Sequence, residues 1–163
     1  VENHAVMAMV ARVFLREDPF IVWGDGTQVR NWTHVDDIVK GTLAAAEHLN
    51  DGTAVNLGTT ERTQVVEAVK LACDLAGYSP RLVFDLTMPT GPLNRVADNA
   101  LARELMNWSP DVAFADGLRR TVEWYFATKD RSQVAAVLPR LLTERPLNSE
   151  MTKTSEWERG CHS

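Results

Sequence analysis

Apolar positions recur along this chain at two periods, and their order predicts alternating helices and strands. Val6, Met9, Val10, Val13 and Phe14 fall at helical spacing, and Asp18-Pro19 stops that helix. Phe20-Ile21-Val22-Trp23 is a short β-prone run closed by the turn Gly24-Asp25-Gly26, and residues 28–35 read as a second strand-like segment. In the next helix Val35, Ile38, Val39, Thr42, Leu43, Ala46 and Leu49 share one face, with Asp36 and Asp37 at its positive N-terminus. Asn50-Asp51-Gly52 ends it, and residues 54–58 read as a short buried strand. Thr63 can cap a helix whose stripe is Val65, Val66, Val69, Ala72, Cys73 and Ala76, with Gly77 as its stop.

Further on, residues 81–86 form a strand pattern and residues 87–92, with two prolines and a glycine, a loop. Asp98 can cap a helix from about residue 99 to 106, and Trp108-Ser109-Pro110 breaks it. Leu118, Val122 and Tyr125 mark the last clear amphipathic helix. Beyond residue 127 the character changes. Residues 134–142 suit one more helix interrupted by Pro139, and from Arg145 the chain is polar and expected to fray. The pattern predicts a mixed α/β unit without internal repeats.

Composition narrows the function. With 163 residues the chain is long enough for one domain with a sizeable core. A net charge of −5 argues against a nucleic-acid surface, which needs a basic patch. It leaves room for one phosphorylated small molecule, since two well-positioned arginines suffice. Cys73 lies in an apolar helical pattern and Cys161 in a polar tail, so neither a disulfide framework nor zinc is expected. No apolar run reaches transmembrane length and the start lacks a signal-peptide layout, so the cytoplasm is the expected compartment.

Two arginines stand out on chemical grounds. Arg30 follows the Gly-containing turn inside a β-prone segment, and Arg95 lies between the Pro/Gly loop and a helix. A guanidinium fork suits a pair of phosphate oxygens. Taken alone, an arginine is ordinarily a solvated surface group.

A resemblance changes that weighting. Val22-Trp23-Gly24-Asp25-Gly26-Thr27-Gln28-Val29-Arg30-Asn31-Trp32-Thr33-His34-Val35-Asp36-Asp37 resembles a signature segment of the extended short-chain dehydrogenases/reductases, the NAD-dependent nucleotide-sugar epimerases and dehydratases. In order, Asn56-Leu57-Gly58 resembles that family's Asn-x-Gly element, Arg95-Val96-Ala97-Asp98 its Arg-x-x-Asp, and Leu105-Met106-Asn107-Trp108-Ser109-Pro110 its Leu-Gly-Trp-x-Pro. The match runs from about Glu2 to Tyr125. Asn31 replaces the usual aspartate, and Asn107 the usual glycine.

The resemblance implies a mixed small-sheet and helix substrate-binding domain of that family, without its N-terminal Rossmann half. Residues 1–127 would be the nucleotide-sugar-binding domain and residues 128–163 a tail. Arg30 and Arg95 would bind the substrate diphosphate, with Val22, Trp23 and Asp98 beside the nucleotide. Asp98 has an equally strong reading as a helix cap, and Asp36, Asn56 and His34 read as structural. The implied partner is a nucleotide-diphosphate sugar, and NAD(P) is the cofactor implied for the full-length enzyme.

No Gly-x-Gly-x-x-Gly cofactor turn occurs, so the chain alone is expected neither to bind NAD tightly nor to turn over. The family's Tyr-x-x-x-Lys pair is matched only by Tyr125 and Lys129, at a position corresponding to its terminal helix, so a chance match is expected and no catalytic residue is assigned. His4, His48 and His162 have no ligand spacing, and Trp157 has no reading. The alternative is a non-catalytic α/β module that covers apolar surface by forming a homodimer.

Overall fold

The structure, a computed structural model, describes residues 5–143. Expectations for His4, Arg145, Trp157, Cys161, His162 and the polar end of the tail lie outside the described residues. Helix α1 (Ala5–Leu15) leads into strand β1 (Phe20–Trp23) and the two-residue β2 (Val29–Arg30). Helix α2 (Val35–His48), β3 (Thr63–Gln64), α3 (Val65–Leu75), β4 (Leu82–Asp85) and β5 (Asn94–Arg95) follow. Helices α4 (Ala100–Met106), α5 (Phe114–Thr128) and α6 (Arg131–Thr143) complete a mixed α/β fold.

Two small sheets organise it. β1 and β4 pair in parallel, Phe20 opposite Leu82 and Trp23 opposite Asp85. In the second sheet β2 is central, antiparallel to β3 and parallel to β5. The main core lies where α1, α3, α5 and α6 meet β1. Val10, Val13, Phe20, Ala72, Leu118, Tyr125 and Leu138 are all buried there. Burying each Val- or Leu-sized side chain stabilises by about 1.5–3 kcal/mol. Phe14 meets the Tyr125 ring edge-on at 5.4 Å. Cys73 is buried and free, and desolvation pushes its thiol pKa up.

Several elements depart from the sequence pattern. Residues 54–58 form no strand; the segment runs unpaired from residue 52 to 62. Its polar groups go to side chains instead. Asn31 Nδ2 donates to the Thr59 carbonyl (3.0 Å), Asn99 Nδ2 to the Gly58 carbonyl (3.1 Å), and the Thr59 N–H to Thr33 Oγ1 (2.9 Å). Much of the apolar stripe of α2 points outward: Val35, Val39 and Leu43 are 64%, 51% and 60% exposed, while Leu49 packs on Ala102, Met106 and Trp108. The buried face of α2 carries Asp37 and Gly41. Thr63 sits in β3 and Gln64 is the N-cap of α3, where the Gln64 N–H donates to the Glu67 carboxylate at 3.0 Å. The expected strand over 28–35 shrinks to Val29–Arg30, and β5 was not foreseen.

Helix α6 continues through Pro139 rather than being interrupted there. Val134 and Leu138 are buried against the main core, and the Arg131 guanidinium donates to the Leu15 carbonyl at 2.8 Å. Tertiary packing of this kind outweighs the roughly 3 kcal/mol by which proline disfavours a helix interior.

Candidate functional site

β2 and β5 bring the two arginines together. Arg30 and Arg95 are register partners on adjacent parallel strands, so their side chains leave the same face of the sheet. Thr63, the partner of Arg30 on β3, shares that face. Each strand is only two residues long, and three neighbouring bonds hold the sheet to its surroundings. The Val29 N–H donates to the Leu93 carbonyl (2.8 Å), the Val65 N–H to the Gln28 carbonyl (3.1 Å), and the Val66 N–H to the Gly26 carbonyl (3.0 Å).

The two guanidiniums have different surroundings. Arg30 is half-buried: Nη1 donates to the Val29 and Pro92 carbonyls, both at 2.7 Å, and Nη2 to the Thr90 carbonyl at 2.6 Å. Arg95 is exposed and has no hydrogen bond or ion pair among the described residues. One is therefore held by the protein, and the other is available to whatever approaches the face.

The other expected site residues are dispersed. Val22 is buried in the main core, so only its backbone could flank a ligand. Trp23 is 38% exposed at the end of β1, and its carbonyl accepts from Gln28 Nε2 at 2.9 Å, which ties β1 to the turn before β2. Asp98 is exposed, and its carboxylate accepts the Ala100 N–H (2.9 Å) at the start of α4, where Asn99 is the N-cap residue. The helix-cap reading shifts by one residue: the side chain of Asn99 makes no cap bond, and Asp98 supplies the carboxylate from the position before it. Asn56 likewise acts as a tie, donating to the Asp98 carbonyl at 3.2 Å.

Two acidic turns follow β1 and β4. Asp25 Oδ1 accepts both the N–H and hydroxyl of Thr27, and Asp85 Oδ1 does the same for Thr87. Backbone donation from Thr27 holds the Asp25 carboxyl below its ordinary 3.8, and the Thr87 hydroxyl does so for Asp85. Both carboxylates are therefore ionised and committed to their own turns near neutral pH.

A residue that the sequence placed only at a helix start ties α2 to the segment after α4. Asp37 is fully buried; Oδ2 accepts the Val112 N–H (3.0 Å) and its carbonyl accepts Trp108 Nε1 (3.2 Å). The adjacent acidic pair was the only signal, and it pointed to a helix start. His34 caps α2, Nδ1 accepting the Asp36 N–H at 3.3 Å, in keeping with its structural reading. Both departures from the family pattern have a physical basis. Asn31 donates to a carbonyl, which an aspartate could not do. Asn107 has φ 49°, a left-handed conformation that asparagine tolerates better than most residues.

The Tyr125 and Lys129 pair is not set up as a catalytic pair. Tyr125 is 0% exposed inside the core, and Lys129 Nζ lies over the Trp124 ring at 5.1 Å. The single Gly-x-Gly of the sequence is a turn packed against side chains: a Cβ at Gly24 would collide with the Thr90 methyl, and one at Gly26 would stand 2.9 Å from Val66 Cβ. Among the described residues no group of three or more His, Cys, Asp or Glu could hold a metal ion, and no helix is long and apolar enough to cross a membrane.

Fold and alignment define the class first: this is part of an extended short-chain dehydrogenase/reductase. The family model described as "NAD dependent epimerase/dehydratase family" matches residues 2–58. The chain is 31% identical over 129 residues to a putative GDP-L-fucose synthase 2 of Arabidopsis thaliana, a match over 76% of this chain and 39% of that protein. It superposes on the crystal structure of Thermotoga maritima UDP-glucose 4-epimerase with UDP-glucose at a TM-score of 0.70, with 31% identity, covering 77% of this chain and 40% of that one. Against the UDP-glucuronic acid 4-epimerase of Bacillus cereus, in complex with UDP-glucuronic acid and NAD, the TM-score is 0.66 at 28% identity, covering 76% and 40%. The chain belongs to the NAD-dependent epimerase/dehydratase family, and it spans about two fifths of the length of these relatives.

Proposed function

We propose that this chain is the nucleotide-sugar-binding part of an NAD-dependent sugar epimerase or dehydratase, with residues 1–127 forming the binding domain. The observation that carries this reading is the register pairing of Arg30 with Arg95. Two guanidiniums on one face of adjacent strands can grip the oxygens of a diphosphate, and a diphosphate held at both phosphates fixes the direction of the attached sugar. Trp23 and the backbone of Val22 would border the nucleotide, and Asp98 would act chiefly by fixing the start of α4. Relatives whose structures contain UDP-glucose and UDP-glucuronic acid support this ligand class.

No hydride step is assigned to these residues. NAD(P) would be held by polypeptide beyond this chain, and cytoplasmic location is part of the same proposal. Calorimetric titration with UDP-glucose and a GDP-sugar tests the reading. Wild-type protein should bind one of them, and Arg95→Ala should weaken that binding at least about tenfold, the loss of a charge-assisted contact. Unchanged affinity in Arg95→Ala overturns it. Tight NAD binding by the chain alone would overturn the assignment of the cofactor elsewhere.

A second reading, self-association as a non-catalytic module, is favoured by the outward stripe of Val35, Val39 and Leu43 on α2. Light scattering that gives the mass of one chain at all concentrations removes it.

A further inference from the structure

We propose that the backbone around Gly91 is a carbonyl cradle whose work is to hold Arg30 in a ligand-ready orientation. This deepens the diphosphate reading and rests on it. The loop between β4 and β5 comes back over β2. Its Thr90 and Pro92 carbonyls reach Arg30 Nη2 and Nη1 at 2.6 and 2.7 Å, and the Val29 carbonyl takes a further Nη1 hydrogen at 2.7 Å. A guanidinium has five N–H donors. Three are spent on backbone, and the two that remain, on Nε and Nη2, have no partner among the described residues. Two donors are what one bidentate phosphate contact requires.

The cradle depends on one residue. Gly91 separates the two loop carbonyls and has φ 68°, a conformation that glycine adopts freely and a β-carbon opposes. This turn aims Thr90 and Pro92 oxygens at the same guanidinium from either side. Space is not the constraint, because a Cβ at Gly91 would stand 3.6 Å from Arg30 Nη2, an ordinary contact. The backbone angle is. Gly91 is thus a positioning residue that acts through Arg30. The exposed Arg95 has no such cradle among the described residues.

The test has two arms. The first needs no ligand: hydrogen exchange of the arginine Nη protons by NMR. In wild type, Arg30 Nη protons should exchange at least about tenfold more slowly than those of Arg95, in proportion to the bonds they make. Gly91→Ala should speed Arg30 exchange markedly, leaving only the protection of the Val29 bond, while Gly91→Asn, which tolerates the left-handed angle, should keep it slow. Equal rates in wild type, or Arg30 exchange unchanged in Gly91→Ala, overturn the cradle. The second arm titrates UDP into wild type, Gly91→Ala, Arg30→Ala and the double variant. Gly91→Ala should weaken binding about tenfold alone and have no effect once Arg30 is alanine. Equal effects of Gly91→Ala in both backgrounds overturn its action through Arg30. If wild type binds no UDP, the diphosphate reading fails, and the exchange arm still decides the cradle.

Discussion

Helices α2 and α3 carry the same kind of apolar stripe in the sequence, and the fold treats them in opposite ways. In the α3 stripe Val69, Ala72 and Cys73 are buried against the main core together with Ala68, and Val65, Val66 and Ala76 are half-buried. Much of the α2 stripe is turned to solvent, while Asp37 and Gly41 face inward. Periodicity therefore identifies a face but not what covers it. In α3 the covering elements, α1 and α5, lie within the chain. In α2 the inner side is shared: α4 and Trp108 cover Ala44, Ala45 and Leu49, while the Asp37 carboxylate and carbonyl take the Val112 N–H and Trp108 Nε1.

The comparison can be broken first in the main core. Leu118→Ala should destabilise the protein by about 2–5 kcal/mol, the usual loss for a buried leucine whose cavity does not collapse, as measured by chemical denaturation. The α2 flank should respond to polarity instead. Asp37→Ala strips the Val112 N–H of its acceptor and should destabilise by about 1–3 kcal/mol, whereas the same exchange at exposed Asp116 should change little. If Asp37→Ala were neutral, the polar inner face of α2 would not be a structural device. Outward α2 residues should be the most tolerant. Val39→Gln and Leu43→Gln should each stay within about 0.5 kcal/mol of wild type while lowering any concentration-dependent association seen by light scattering. The smallest effect concerns acid. Asp25 and Asp85 have pKa values below the unfolded value of 3.8, so their contribution is complete above that pH and is lost as pH falls through the folded values. Asp85→Asn should lower stability slightly at neutral pH and make the acid unfolding profile slightly flatter below pH 3.8, where the wild type loses the same contribution.

Much of this molecule was legible in its sequence, and what was not has a common cause. Helices α1, α3 and α5 follow from local periodicity because their partners lie in the same core. Arg30 and Arg95 could be singled out by residue type, turn context and resemblance, but their register could not, since it depends on β5, a strand of two residues with no pattern to detect. Residues 54–58 have strand composition, and without a neighbouring strand among the described residues the segment is tied by Asn31, Thr33 and Asn99 instead. Helix α6 was obscured by Pro139, whose local preference yields to the burial of Val134 and Leu138. In each case the missing information was non-local.

The outward stripe of α2 has a consequence for how the protein behaves in different salts. Excluded ions such as sulfate strengthen the burial of apolar surface, so they should drive molecules together through Val35, Val39 and Leu43. The same ions screen charge, with a Debye length of about 8 Å at physiological ionic strength and about 3 Å at 1 M, and so should loosen an anion held by Arg30 and Arg95. Precipitating salts would then favour contact between chains while competing with any diphosphate for the arginine face, and dilute buffers would do the reverse.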